Sequence, residues 1–477
     1  HRELGVASPA DLERACLEGR IAALAGFGAK SQAKLLESVR QLGRYRERHL
    51  LSEARPAALA LLEHVRAHPS VAVAEVAGSL RRWRETIGDL DLVAAVPATR
   101  RVEVTDHFAA APGAQGVESR GETKVQIRIA DGYLADLRMV ERDEFAAALH
   151  HFTGSKEHNV TLRTRAKRAG ITVNEYGLFE GERRLEVADE TELFRRLGLH
   201  WIPPEMREGF DELELAERAD LPALVTLADL RGTFHVHTTW SDGTATVEQM
   251  AAAAAQRGWE YLGIADHSQS AAYAGGLGPE RVREQWQEID AWNARGEPPR
   301  LFKGTECDIL VDGGLDFPDD LLLGFDFVVA SVHSRFRIGS EAMTQRMVRA
   351  VSHPCVTFLG HPTGRLLLAR EGYELDLEAV LEAARANGVV VEVNASPHRL
   401  DLDWRMLRGW LARGNRTSIH PDAHSPHGLG DVEFGVGVAR KAGTRAGDVV
   451  NCDGADDVAS WFARRRERAR ERLAVRE

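Results

Sequence analysis

Residues 78–92 read GSLRRWRETIGDLDL, and they carry the clearest indication of fold in the chain. Before them, residues 71–76 form a short run rich in β-branched residues, which predicts a strand. Gly78 breaks that strand, and Ser79 offers an N-cap for a helix. A helix N-terminus beside Arg81 and Arg82 predicts a phosphate-binding turn, because free backbone N–H groups and guanidinium groups place several donors together.

Asp89 and Asp91 open the next apolar run, residues 92–96. Residues two apart in a strand face the same side and lie roughly 6.5–7 Å apart along the backbone. Two carboxylates so placed repel each other unless a cation lies between them. A bare Asp-x-Asp triplet is most often a solvated strand edge. Here the triplet belongs to a longer unit, in which a strand is followed by Gly-Ser, then by Arg-Arg, and then by a second strand that the triplet opens. This context favours a metal site.

This unit resembles the palm motif of the family X DNA polymerases, the group that contains DNA polymerase beta. The resemblance implies that Asp89, Asp91 and a third carboxylate on a neighbouring strand are catalytic metal ligands. The third is matched by Asp136, in the strand that returns from the hairpin turn predicted at Asp131-Gly132. The implied chemistry is two-metal nucleotidyl transfer with Mg²⁺ or Mn²⁺. The residues of this unit implied to bind the incoming nucleotide are Gly78, Ser79, Arg82 and Gly88.

The bulk composition sets limits on the rest of the chain. Its 477 residues exceed one ordinary domain, so we expect several. The four cysteines are scattered, which indicates a reducing compartment and no disulfide framework or zinc ribbon. No apolar stretch approaches membrane-spanning length, so no membrane contact is expected. The net charge of −11 disfavours nucleic acid, but a local basic patch, rather than the net charge, sets the field that DNA meets.

A glycine-containing turn at residues 24–30 lies between two segments with helical periodicity. It resembles the hairpin of a helix-hairpin-helix motif, and a plain helical turn is the alternative. Gly26 and Gly28 would let backbone N–H groups approach DNA phosphates, and Lys30 would add a positive charge. In family X this segment follows a small N-terminal domain, most of which we expect to be missing here.

A basic helix is predicted after residues 151–159. Residues 151–170 contain five Lys or Arg residues and one acidic residue, and a solvated surface is the alternative explanation. Lys167 and Arg168 belong to this patch, and we expect them to contact DNA phosphates.

The same segment resembles the family X thumb. The resemblance implies that Asn159 contacts the base of the incoming nucleotide and that Arg163 reaches the minor groove of the templating pair. Phe152 and Gly154 are implied to line the nucleotide site. His151 stands where many relatives carry Tyr, which leaves the exclusion of ribonucleotides open.

From about residue 231, apolar strands alternate with helical stretches, a pattern that predicts a parallel β/α barrel. Strand after strand ends at a residue type that binds metal, on the edge where such barrels carry their active sites. A lone histidine is more often structural, but recurrence at one topological position favours a site. We call the nine residues the nine-ligand cluster: His235, His237, Asp242, His267, Glu306, His333, His361, Asp422 and His424.

The nine-ligand cluster resembles the metal site of the PHP (polymerase and histidinol phosphatase) domain and fills all nine ligand positions of that family. The resemblance implies about three bound ions, and the oxygen and nitrogen donors suit Zn²⁺, Mn²⁺ or Fe²⁺. Such ions activate water and hold a phosphate, so the expected chemistry is phosphoester hydrolysis. Arg365 is a candidate phosphate clamp or, equally, a structural arginine. Asn394 is expected to support the ligands without binding metal itself.

Together these patterns predict a multidomain chain. Helical helix-hairpin-helix fingers (1–48) precede an α+β nucleotidyltransferase palm (49–142) and its thumb (143–210). An acidic linker (211–230) leads to an α/β distorted parallel β/α barrel of PHP type (231–477).

The predicted function is a gap-filling DNA polymerase in DNA repair that also has a 3′→5′ exonuclease or 3′-end-processing activity. Gapped or primer-template DNA and dNTPs are the expected partners of a monomer in the cytoplasm, associated with the nucleoid. One alternative is a DNA-binding scaffold with an inactive palm, in which only the phosphoesterase works; the three palm aspartates count against it. Another is a small-molecule phosphatase, which would leave a polymerase-like half idle.

Overall fold

The computed structural model describes residues 4–6, 8–24, 26–46 and 48–475, and for residues 41–46 it describes the backbone alone. The chain forms two compact units. The first comprises His1–Ser155 and Arg163–Leu193, and the second comprises Lys156–Leu162 and Phe194–Glu477. The predicted multidomain α/β architecture is confirmed, whereas the finer division into five parts stays a prediction.

The first unit is built on a five-stranded sheet with the order β2-β4-β7-β6-β5. Its parallel pair, β4 and β7, carries the candidate palm carboxylates. The predicted hairpin is present, because β6 and β7 pair antiparallel across a turn in which Asp131 takes a φ of 61°. The strands of the first unit are β1 His49–Leu50, β2 Val73–Val76, β3 Thr86–Ile87, β4 Asp89–Ala95, β5 Ala114–Arg120, β6 Lys124–Ile129, β7 Leu134–Val140, β8 Ile171–Asn174, β9 Gly177–Glu180 and β10 Arg183–Leu185.

Helices pack on the palm sheet and precede it. The predicted helical segments on either side of the glycine-containing turn correspond to α1 and α2, and the predicted basic helix corresponds to α7. The helices up to the end of the first unit are α1 Pro9–Leu17, α2 Ala29–Arg46, α3 Leu51–Arg66, α4 Gly78–Arg81, α5 Arg101–Ala109, α6 Phe145–Thr153, α7 Lys156–Arg168 and α8 Glu190–Arg196.

One local prediction is wrong: Ser79 is not an N-cap. Helix α4 begins at Gly78 and its N-cap is Ala77, so Ser79 lies inside the first turn. The helix begins two residues earlier than predicted because Gly78 itself adopts a φ of 61°, which other residues rarely take.

The second unit contains a seven-stranded parallel sheet in which the strands follow one another in chain order. His237 N–H donates to Ala423 O at 2.9 Å, which links the end of the first strand to the segment after the last and nearly closes a barrel. The predicted parallel β/α barrel is therefore confirmed. The strands are β11 Gly232–Val236, β12 Tyr261–Ile264, β13 Arg300–Asp308, β14 Phe327–Ser331, β15 Phe358–Leu359, β16 Val390–Asn394 and β17 Thr417–His420.

Helices surround this barrel and bury its apolar side chains. Strands such as β11, β14 and β16 are buried along their whole length, as expected for parallel strands covered on both faces. The last helix packs Phe462 against Phe234, Phe302 and Phe327. The helices are α9 Glu212–Glu217, α10 Val247–Gln256, α11 Pro279–Asn293, α12 Asp319–Leu322, α13 Ser340–Val351, α14 Leu377–Ala386, α15 Trp404–Ala412, α16 Val432–Lys441 and α17 Ala455–Ala474.

Candidate functional site

The three palm aspartates lie on the two parallel strands β4 and β7. Asp91 is the direct register partner of Asp136, and Asp89 precedes Asp91 by two residues on the same side of β4. The structure therefore brings together the two carboxylates that the local pattern predicted and the third that the family resemblance implied.

Charge crowding makes this group suitable for cations. Burial raises the pKa of Asp91 to about 7, with repulsion from Asp89 and Asp136 adding to it. Burial, followed by repulsion from Asp136, also raises the pKa of Asp89. Lys124 Nζ lies 2.5 Å from Asp136 Oδ2, and the other oxygen, Oδ1, is buried without a hydrogen-bond partner among the described residues. A divalent ion would relieve the repulsion and use that oxygen, so the residues fit a metal site.

Gly78 brings the turn after β2 against this carboxylate group. A Cβ placed on Gly78 would lie 2.0 Å from Asp91 Oδ2, so only glycine allows the approach. Arg82 Nη1 donates to the Thr153 carbonyl. Arg81 donates to Thr153 Oγ1 and binds Glu190 through both terminal nitrogens, which makes it part of the packing of this unit. Gly88 is half-buried between β3 and β4.

The residues predicted to contact the nucleotide or DNA differ in their exposure to solvent. Phe152 lies under Arg138, with the guanidinium carbon 4.9 Å from the ring centre, and Gly154 and Asn159 are buried. The residues expected to contact DNA are exposed, and they are Gly26, Gly28, Lys30, Arg163, Lys167 and Arg168. Exposed cations such as Lys167 and Arg168 are accessible to phosphates, but the roles of all these residues, like those of the nucleotide-contacting residues, stay predictions.

Glu306, in β13, is the centre of the candidate site in the barrel. Its Oε1 lies 2.9 Å from His361 Nε2, 3.1 Å from His333 Nε2 and 3.2 Å from His235 Nε2. Its other oxygen, Oε2, lies 2.9 Å from His267 Nδ1. Four histidines from four different strand ends therefore meet at one buried carboxylate.

The remaining members of the nine-ligand cluster converge beside Glu306. Asp422 Oδ1 lies 3.2 Å from His237 Nε2, and Asp242 Oδ1 lies 3.3 Å from His424 Nε2. Asp242 Oδ1 is also 3.7 Å from His267 Nε2. Burial, reinforced by neighbouring histidines, lowers the pKa of His237 to about 3, so its imidazole is neutral and able to bind metal.

Unpartnered atoms and strained backbone both mark this cluster. Among the described residues, the buried atoms without a hydrogen-bond partner include both ring nitrogens of His237, His235 Nε2 and Glu306 Oε2. His235 and Asp422 adopt φ angles of 58° and 53°, a region costly for non-glycine residues and found most often at functional sites. Within the described chain, groups of three or four ligand atoms lie within 4.8 Å of one another, as metal binding requires. The residues fit a metal centre of nitrogen and oxygen donors.

The structure adds residues that the sequence did not indicate. Asp308 Oδ1 lies 2.9 Å from His333 Nδ1, and Glu392 Oε2 lies 2.6 Å from His235 Nδ1. Attraction from His235 and His420 outweighs burial and holds the pKa of Glu392 well below its usual range. Asn394, the expected supporting residue, donates to Asp422 Oδ2 at 3.1 Å. A charged residue inside the apolar run 389–393 was the one available indication of Glu392.

Arg365 makes the contacts of a structural arginine. Its Nε donates to the Arg399 carbonyl at 2.9 Å, and its Nη1 lies 3.2 Å from Asp403 Oδ2. Its role as a phosphate clamp stays a prediction. Arg399 itself reaches the cluster, with Nε 3.5 Å from Asp422 Oδ2.

Comparison with known proteins agrees with both halves of this description. Residues 148–208 match the family model of the DNA polymerase beta thumb, and residues 233–396 match that of the PHP domain. The DNA polymerase/3′-5′ exonuclease PolX of Bacillus subtilis (strain 168) is 38% identical over 468 residues, which cover 97% of this chain and 81% of that protein. The chain belongs to the family X DNA polymerases that carry a PHP domain.

The barrel half of this family X polymerase also has relatives of its own. A probable phosphatase of Thermoanaerobacter sp. (strain X514) is 28% identical over 233 residues, covering 46% of this chain and 89% of that protein. A probable phosphatase of Acetivibrio thermocellus is 32% identical over 168 residues, or 34% of this chain and 63% of that protein. Among the described residues, no helix is both long and apolar enough to cross a bilayer.

Proposed function

We propose that this chain is a DNA polymerase that also hydrolyses phosphodiesters at DNA 3′ ends through its PHP domain. The observation that carries the proposal is the presence of two separate carboxylate-containing centres, one in each compact unit. The Bacillus subtilis relative, named as a DNA polymerase and a 3′-5′ exonuclease, supports the same pairing of activities.

In the palm, Asp89, Asp91 and Asp136 would hold Mg²⁺ or Mn²⁺. When bound, such ions would supply positive charge that offsets the carboxylates and favours ionisation of the primer 3′-hydroxyl. The chain contributes fixed geometry, since the register of β4 and β7 places Asp91 opposite Asp136. The backbone around Gly78 and Ser79, with Arg82, would bind the triphosphate, because backbone N–H groups and guanidinium groups bind phosphate oxygens.

In the barrel, the nine-ligand cluster would hold about three Zn²⁺, Mn²⁺ or Fe²⁺ ions. When bound, such ions would supply Lewis acidity for the hydrolysis of a phosphoester. The chain positions the ligands on different strand ends and keeps most of them buried, which limits competing solvent. Arg399, whose Nε lies 3.5 Å from Asp422 Oδ2, would add positive charge for the phosphate, and Arg365 is the candidate phosphate clamp expected from the sequence.

Thumb and fingers would hold the nucleic acid. Gapped or primer-template DNA would contact the exposed Lys167 and Arg168 on α7 and the turn at Gly26 and Gly28. The substrates are dNTPs, and the protein acts as a monomer in the cytoplasm, at the nucleoid. Neither the inactive-palm scaffold nor the small-molecule phosphatase is favoured, because the palm keeps all three carboxylates together on the adjacent strands β4 and β7.

A single incubation tests the proposal. The purified chain is mixed with gapped duplex carrying a labelled primer, with Mn²⁺ or Mg²⁺, with and without dNTPs. The primer should lengthen when dNTPs are present and shorten when they are absent. Shortening without any extension would instead support the scaffold with an inactive palm, and an unchanged primer in both samples would contradict the proposal.

A further inference from the structure

Glu392 lies outside the nine-ligand cluster and is joined to several residues of that cluster and its surroundings by hydrogen bonds. Its side chain is fully buried in β16. Oε2 accepts from His235 Nδ1 at 2.6 Å and from His420 Nδ1 at 2.8 Å. Oε1 accepts from the backbone N–H of His361 at 3.0 Å and from Asn394 Nδ2 at 2.7 Å. All four contacts are made by donors, so the carboxylate is fully used as an acceptor.

These bonds determine which nitrogen of His235 faces the candidate metal centre. A carboxylate only accepts, so Nδ1 of His235 must carry the hydrogen. In the neutral ring, Nε2 then keeps its lone pair. That nitrogen lies 3.2 Å from Glu306 Oε1 and 3.6 Å from Asp422 Oδ1, and within the described part of the chain it is buried without a hydrogen-bond partner. Whenever the ring is neutral, as metal binding requires, His235 is thereby held in the one tautomer that can bind metal from this position.

The same carboxylate reaches two further ligand segments. Its bond to the His361 N–H holds the turn after β15, where His361 adopts a φ of 21°. Asn394, which also bonds to Glu392, donates to Asp422 Oδ2 at 3.1 Å and so holds the turn after β17. One buried side chain therefore links three separate pieces of the candidate metal centre.

We propose that Glu392 is a positioning residue for the barrel metal centre, fixing the tautomer of His235 and the placement of His361 and Asp422. The inference rests on the proposed metal-dependent activity of this site. Partners that bond to the far nitrogen of a metal-binding histidine orient the ring, and their loss typically lowers metal affinity by about 10–100-fold.

Glu392→Gln tests this role because it keeps the shape but replaces one acceptor with a donor. If the new amide nitrogen occupies the Oε2 position, His235 can face it only with an unprotonated Nδ1. The proton then moves to Nε2, and the lone pair directed at the centre is lost. If the amide nitrogen occupies the Oε1 position, it opposes the His361 N–H. In either orientation, we expect metal affinity to fall about 10–100-fold.

The 477-residue chain is stripped with a chelator and titrated with Mn²⁺ and separately with Zn²⁺. Its unfolding temperature is then measured with EDTA and with each metal. Ser418→Ala is the matched control, since Ser418 Oγ lies 2.7 Å from His420 Nε2 in the same buried network and makes no described hydrogen bond to His235. The control should keep metal affinity close to that of the parent. Glu392→Asp retains an acceptor-only group but draws it back by one methylene from His235 and the His361 N–H, so its metal affinity should lie between those of the parent and of Glu392→Gln.

The expected result is a smaller metal-induced rise in unfolding temperature for Glu392→Gln, with parental primer extension by the palm. Parental metal affinity in Glu392→Gln would overturn the inference. So would an equal loss of unfolding temperature with and without metal, because that pattern indicates packing alone. If Glu392→Gln does not fold, Glu392→Asp decides: parental affinity or weakening no greater than that of Ser418→Ala would overturn the role. A parent chain that binds no metal would instead overturn the proposed barrel activity on which the inference depends.

Discussion

Gly78→Ala should impair the polymerase through one added methyl group. Gly78 has a φ of 61°, and a Cβ there would lie 2.0 Å from Asp91 Oδ2 and 2.9 Å from its Cγ. Non-bonded heavy atoms prefer about 3.5 Å, so Asp91 has to move by about 1 Å or more. Misplacing a catalytic group by about 1 Å costs roughly a hundredfold in rate. The left-handed backbone adds about 1–2 kcal/mol of destabilisation in an alanine.

Single-turnover extension of a labelled primer on gapped duplex measures the effect. We expect extension by Gly78→Ala to be at least about a hundredfold slower, with primer shortening by the barrel unchanged. Gly116→Ala is the matched control, because Gly116 lies exposed in β5 and a Cβ there would meet no atom within 4 Å. Extension at the parental rate by Gly78→Ala, or equal slowing by both variants, would refute the reasoning.

Three further predictions follow from the charged residues and metal ligands. Arg81→Ala should lower the free energy of unfolding by about 3 kcal/mol in chemical denaturation, because it leaves the buried carboxylate of Glu190, which is 7% exposed, without its ion pair to Arg81. As a control, Arg100→Ala, which breaks a surface ion pair, should lower it by less than about 1 kcal/mol. Replacing Lys167 and Arg168 with Ala should reduce the slope of log affinity against log salt by about two in a DNA-binding titration, and an unchanged slope would place the DNA elsewhere. Elemental analysis after mild dialysis should find about three transition-metal ions per chain without DNA, and finding none would contradict the metal assignment of the barrel.

The parts of the sites that depend on local geometry could be predicted from the sequence. Asp89 and Asp91 share a side of β4 because of strand periodicity alone. The contacts of Arg81 could not be predicted locally. This residue was expected to bind phosphate, and in the structure it pairs with Glu190. Its partner Glu190 is 109 residues away in the chain, and no local pattern indicates that contact.

In the barrel, too, local patterns predicted some residues of the candidate site, whereas others depend on contacts between distant parts of the chain. The convergence of candidate ligands such as His333 and His361 was predictable because parallel strands bring their carboxyl ends to one edge. Glu392 was missed because it lies within an apolar strand, where the pattern indicates only core. Its role emerges from His235 and His420, which lie 157 and 28 residues away. Ser79 was misplaced because the conformation of Gly78 depends on its approach to Asp91, a contact invisible in the local sequence.

The central claim, that one chain carries two separate active centres, is tested most directly by comparing Asp136→Asn with His237→Ala on one gel of labelled primer on gapped DNA. Asp136→Asn removes one of three palm charges, so extension should fall roughly a thousandfold or more while shortening persists. His237→Ala should abolish shortening and leave extension intact. Loss of both activities in either variant, with its fold preserved, would point to one shared centre and contradict the account.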